Sequence, residues 1–138
     1  MAYEGTEVPA SRSQDQIRAL MSKHGGTSIG FKSATKPELV EGLHCTIPID
    51  GVAYSIEIIA HPKKERNYDS EIRRIWRVLF FHLKAVFESV DSGVLEFREV
   101  MLPYIVTHDG RTVGQHILPK LKDAVTGTPE RMLPAPRT

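Results

Sequence analysis

Seven cations fall between His61 and Lys84, namely Lys63, Lys64, Arg66, Arg73, Arg74, Arg77 and Lys84, against three acids, Glu65, Asp69 and Glu71. On a helix, Arg73, Arg77 and Lys84 share one quarter of the circumference, with Arg74 and Phe81 beside them. Cations around an aromatic ring can hold phosphates while the ring stacks a base, a common way to grip single-stranded DNA or RNA. The same residues equally fit a solvated polar sector on an otherwise apolar helix, with Arg77 and Lys84 pairing to Glu88 and to acids further on. The two readings separate on one point: whether the cations line an open groove or are paired with Glu88, Glu96 or Glu99.

Three other groups of residues carry possible chemistry. His82 falls between Ile75 and Val78 on the helical wheel, an apolar flank that predicts at least partial burial. An imidazole there would act as acid, base or pH switch, or simply as a core residue bonded to a carbonyl. His44, Cys45, His61, His108 and His116 lack the short paired spacing that zinc sites use, and adjacent His44 and Cys45 point to opposite faces of a strand. No metal site or cofactor is expected. Cys45 reads as a small buried hydrophobe. In the turn His108-Asp109-Gly110-Arg111-Thr112, Arg111 and Thr112 at a helix start could converge on an anion. Asp109-Gly110 as a tight turn and Thr112 as a helix cap account for the same letters without a ligand.

The elements that must position these groups follow from periodicity. Residues 1–10 show no period and read as a loose lead-in. Ser13 and Gln16 form a capping-box pattern, and Ile17, Leu20 and Met21 continue at helical spacing to about His24, where Gly25-Gly26 ends the helix. Ile29 and Phe31 then alternate as a short strand. Leu43, Cys45, Ile47 and Ile49 alternate up to Asp50-Gly51, and Val52, Tyr54, Ile56 and Ile58 alternate after it, a hairpin signature. Pro48 predicts an edge position, or an outward-facing site, for its strand. After a polar connector, Asp69 or Ser70 is placed to cap a long helix running to Gly93, with Ile72, Trp76, Leu79, Leu83, Val86 and Val90 as its sheet-facing stripe. A helix over Leu95 to Ile105, disturbed by Pro103, and a last helix opened by the Thr112–Gln115 capping box complete the chain before an extended tail at 128–138. The expected fold is α+β within one domain: an N-terminal helix, a three-stranded antiparallel sheet packed on a long central helix, then two shorter C-terminal helices.

Composition narrows the function classes. The 138 residues hold 18 Lys and Arg against 17 Asp and Glu, so no global basic field argues for nucleic acid and any electrostatic argument is local. A lone cysteine excludes an internal disulfide and fits a reducing compartment. Residues 1–16 carry no signal-like pattern, and no apolar run approaches the roughly 18 residues of a membrane span. A soluble protein of the bacterial cytoplasm, without a membrane partner, is the expectation.

The run Trp76-Arg77, Leu79, Lys84-Ala85, Glu88, Val90, Ser92-Gly93, followed by Phe97, Glu99, Leu102, Ile105-Val106, Asp109 to Gly114 and Pro119, resembles a widespread set of small phage and prophage proteins. Their recurrent strings are close to RWRALLLVIKAKLEAVESGI and EEFLAYIVLPDGRTVGE. The specific motifs lie between about Arg73 and Pro119, and the N-terminal half is similar in layout only. The resemblance implies a phage or prophage gene and supplies no activity. Ile75 and Val86 stand where the pattern has basic residues, so this helix is the more apolar one, and Phe81 and His82 replace aliphatic positions.

Two expectations follow. One is a small non-enzymatic accessory protein that binds DNA or RNA through the basic connector and the long helix. The other is a protein-interaction module, a homodimer or an inhibitor of a host or defence protein, because Ile75, Phe80, Phe81 and Phe87 are many large apolar residues for one helix in so short a chain. An enzyme using His82 or the Asp109–Arg111 turn ranks below both.

Overall fold

A computed structural model describes residues 3, 5–63, 67–127 and 132–136. The chain is α+β. Helix α1 (Ala10–Lys23) leads into strands β1 (Thr27–Ala34), β2 (Val40–Ile49) and β3 (Val52–Ala60), then the long helix α2 (Tyr68–Asp91) and the short helices α3 (Phe97–Met101), α4 (Val113–Ile117) and α5 (Leu121–Thr126). The three strands form one antiparallel sheet in the order β1-β2-β3.

Asp50 and Gly51 both take positive φ, 52° and 82°, the two left-handed positions of a type I′ turn, and this pins β2 to β3 in register from Ile49↔Val52 to Glu41↔Ala60. Period-two alternation then sends Leu43, Cys45, Ile47 and Ile49 of β2, with Ile56 and Ile58 of β3, to one buried face. β2 is the central strand rather than an edge, and Pro48 meets the other expectation: it faces outward and is exposed. Pro48 is tolerated there because β1 pairs with β2 only as far as Thr46, so the missing N–H falls beyond the neighbouring strand.

Helix α2 covers that apolar face. Trp76, Leu83 and Phe87 are fully buried against the sheet, and Trp76 meets Phe31 edge-on with ring centroids 5.2 Å apart. Its N-cap is Asn67, whose side chain accepts from the Ser70 N–H, rather than Asp69 or Ser70. At its far end Gly93 has φ 80°, and the Val94 and Gly93 N–H groups return to the Ser89 and Val90 carbonyls, the paired closure that favours glycine.

Helix α1 starts four residues earlier than the capping-box pattern predicts. Pro9 stands at its N-cap, and Ser13 is inside the helix and fully buried. It runs parallel to α2: Ser13 and Gln16 meet Arg77, and His24 meets Asp91. The predicted helix over Leu95–Ile105 is shorter, because Pro103 turns the chain through a 3-10 turn at Leu102–Tyr104. Pro119 does the same at Leu118–Lys120, so the last helix is divided into α4 and α5. Between the proline turns, the Val106 N–H bonds to the Ser55 carbonyl, Ile105 bridges Ile56, and Val106 bridges Thr112. This short extended segment pairs with the outer edge of β3 at Ser55 and Ile56. Among the described residues no helix is long and apolar enough to cross a membrane.

Candidate functional site

The basic sector is tied into the body of the protein. Glu71 is fully buried, accepts the Lys63 backbone N–H at 2.6 Å, and is gripped by Arg74 through Nε at 2.7 Å and Nη2 at 2.9 Å. Arg74 therefore neutralises a carboxylate that would be strongly unfavourable in the interior alone. Arg73 donates from Nε to the Thr6 carbonyl at 3.3 Å and from Nη2 to Ser70 Oγ at 3.1 Å. Arg77, expected in solvent, is 7% exposed: Nη1 donates to Gln16 Oε1 at 2.8 Å and to Ser13 Oγ at 3.3 Å. Its guanidinium lies 4.9 Å from the Phe80 ring centre and 4.7 Å from that of Phe81.

The reason is the placement of α1. The arginine side of α2 is the side that α1 packs on, so Ser13 and Gln16, a capping pair in the sequence, serve as hydrogen-bond acceptors for Arg77. None of these three arginines pairs with Glu88, Glu96 or Glu99, and none lines an open groove along α2 as a group. Lys84 is exposed, 5.9 Å from the centre of the half-open Phe81 ring. Lys63 is exposed, and Lys64 and Arg66 lie outside the described residues.

Two residues that the sequence did not single out complete the surroundings of Phe81. Tyr3 stacks on it with centroids 5.2 Å apart and planes 9° from parallel, and Arg12 of α1 lines the same small cleft with Arg77 and Gln16. No period marks residues 1–10, so no signal in the letters places Tyr3.

His82 is exposed, which corrects the expected burial: of its neighbours on that flank Ile75 is buried and Val78 half-buried, but the cover does not extend to His82. Cys45 is buried at 3% while His44 is exposed, as opposite faces of a strand require. Burial pushes the Cys45 thiol up to about 11. No group of three or more His, Cys, Asp or Glu among the described residues is placed to hold a metal ion.

The turn before α4 is fully engaged. Thr112 Oγ1 accepts the Gln115 N–H at 3.1 Å, the Thr112 N–H donates to Gln115 Oε1 at 2.8 Å, and Arg111 Nη2 donates to the Gln115 carbonyl at 3.0 Å. The Thr112 hydroxyl and N–H thus serve a capping box, and Arg111 directs one guanidinium donor to the Gln115 carbonyl. Asp109 accepts from Thr107 Oγ1 at 2.7 Å, from the Arg111 N–H at 3.0 Å and contacts buried His116 Nε2 at 3.0 Å. The Thr107 hydroxyl first, then the Arg111 N–H and His116, hold its carboxyl well below the usual range.

The C-terminal block also forms the rim of a cleft of about 510 Å³ on the sheet face turned away from α2. Val40, Ile59, Pro103 and Leu118 supply apolar walls, and Glu38 and Glu57 supply acids, with Lys32 3.4 Å from Glu57. Beside it, α5 contains no buried residue. Leu118, Leu121 and Val125, spaced three and four apart along the last helical run, are 69%, 46% and 78% exposed. No known family model, curated protein or solved structure matches the chain.

Proposed function

We propose that this protein is a non-enzymatic interaction module that pairs with a second copy of itself through its C-terminal block. The observation that carries the proposal is that α5 buries no residue while Leu118, Leu121 and Val125 form an exposed apolar stripe. A short helix gains most of its stability by burying one face, so a helix with none buried is complete only against a partner. The cleft beside it has the matching character. Its walls are apolar, its acids Glu38 and Glu57 outnumber Lys32, and the stripe carries exposed Lys122 on its flank. Stripe and cleft adjoin at Leu118, so a two-fold arrangement seats each copy's stripe in the other's cleft and closes without leaving a free surface.

Sedimentation velocity over a concentration series tests this. A dimer is expected, and Leu121→Asp with Val125→Asp should return it to a monomer without changing the circular dichroism spectrum. A wild-type monomer at every concentration overturns self-pairing. If that monomer retains a host protein that the double variant loses, the stripe's partner is another chain.

A second reading, a small phage accessory protein binding nucleic acid through the connector and α2, is supported by the exposed Phe81 and Lys84 rather than by the arginines.

A further inference from the structure

Tyr3 of the lead-in segment lies on an aromatic surface of α2 that has cations beside it. Phe81 is 37% exposed, with the Arg77 guanidinium and the Lys84 ammonium near its ring, and Tyr3 lies parallel on it. The adjoining cleft, about 420 Å³, is lined by Tyr3, Thr6, Arg12, Gln16, Arg77 and Phe81, among others, with no carboxylate among the described residues. Parallel stacking on an aromatic ring flanked by positive charge is the geometry in which single-stranded nucleic acid is held. Here the protein's own tyrosine fills the place of the base.

Three hydrogen bonds among the described residues shape the segment that carries Tyr3. The Thr6 carbonyl accepts from Arg73 Nε, the Thr6 N–H closes a turn onto the Tyr3 carbonyl at 3.2 Å, and Thr6 Oγ1 accepts the Val8 N–H at 3.3 Å. Tyr3 itself has φ 63°, a left-handed conformation that a residue with a Cβ adopts only at some strain. Its ring is 39% exposed, so even in place it is only partly covered.

We propose that Phe81 is the stacking platform for a base of a single-stranded nucleic acid, that Lys84 and Arg12 take the flanking phosphates, and that Tyr3 occupies the platform until the ligand displaces it. The inference rests on the second reading above and adds to it the platform, Arg12 and the internal competitor. Arg77 contributes from beneath. Held by Ser13 and Gln16, it is a fixed cation behind the ring rather than a mobile phosphate ligand.

The test is fluorescence anisotropy on the full chain with short labelled single-stranded DNA and RNA, and with duplex DNA as the comparison, at low salt. Tyr3→Ala should tighten single-strand binding, by roughly threefold to tenfold if stacking on Tyr3 has a strength comparable to base stacking. Phe81→Ala should weaken it by about tenfold or more, and Phe81→Leu should do the same while keeping the apolar bulk. Arg12→Gln and Lys84→Gln should each lower the log-log salt slope by about 0.7. If wild type and Phe81→Ala bind equally, the platform is wrong. If Phe81→Ala loses binding but Tyr3→Ala binds no better than wild type, the role of Tyr3 is wrong and the nucleic-acid reading survives. If neither wild type nor Tyr3→Ala binds at low salt, that reading falls too.

Discussion

Trp76 and Glu41 join the long helix to the central strand. The indole N–H donates to Glu41 Oε1 at 2.9 Å, with both side chains buried, and Glu41 Oε2 has no hydrogen-bond partner among the described residues. The carboxyl group is thus held in the interior by a single side-chain donor from α2, at the point where β2 faces the helix.

Removing that donor should be costly. Trp76→Phe leaves a buried carboxyl group without a partner and also reduces packing, so a loss of about 2 to 4 kcal/mol is expected in urea unfolding. Adding Glu41→Leu should recover part of the loss, because the polar group is then gone. A double variant no more stable than Trp76→Phe alone would show that packing, not the hydrogen bond, dominates.

Arg77 behaves in this structure as a core residue. Arg77→Ala removes two hydrogen bonds to α1 and the contacts with Phe80 and Phe81, and should destabilise the fold by about 2 to 4 kcal/mol. Substituting a solvated arginine would stay within about 0.5 kcal/mol. Chemical denaturation distinguishes the two. Arg77→Lys should recover only part, since an ammonium cannot reproduce the planar donor set.

Asp109 makes the C-terminal block acid-sensitive. Its carboxyl titrates lower in the folded chain than in the unfolded one, chiefly through the Thr107 hydroxyl. Its contribution is therefore complete above the ordinary carboxylate range, about pH 4, and is lost as the pH falls toward the lowered folded value. Asp109→Asn should flatten this part of the acid limb in thermal melts and leave the neutral-pH spectrum unchanged. An identical acid limb in the variant would remove Asp109 from the account.

Cys45 should be inert in the native state. With the thiol raised to about 11 by burial, little thiolate exists near neutrality and the sulfur lies inside the sheet face. Iodoacetamide modification followed by mass spectrometry should give no adduct until denaturant unfolds the chain. Rapid labelling at neutral pH without denaturant would contradict that placement.

Local rules were readable in the letters wherever a few neighbouring residues decide the outcome. The Asp50-Gly51 hairpin, the Thr112–Gln115 box, the Gly93 closure and the sheet-facing stripe of α2 all rest on short-range backbone preferences or on a single period. What failed depends on contacts distant in sequence. Ser13 and Gln16 read as a cap because nothing nearby shows that Arg77, more than sixty residues away, will need acceptors. His82 looked buried because its neighbours are apolar, but which flank of a helix is covered depends on where α1 docks. For the same reason an open cationic sector and one closed by α1 have identical letters. The Tyr3–Phe81 stack has no periodic signature at all.

The Ile105–Val106 segment that lies along β3 has a consequence for any shortened form of this chain. A product ending before it would carry Val52 to Ala60 as a bare selvedge, with backbone donors and acceptors turned outward for another molecule to zip onto. The last third of the protein thus acts as a hem stitched to the middle of that border.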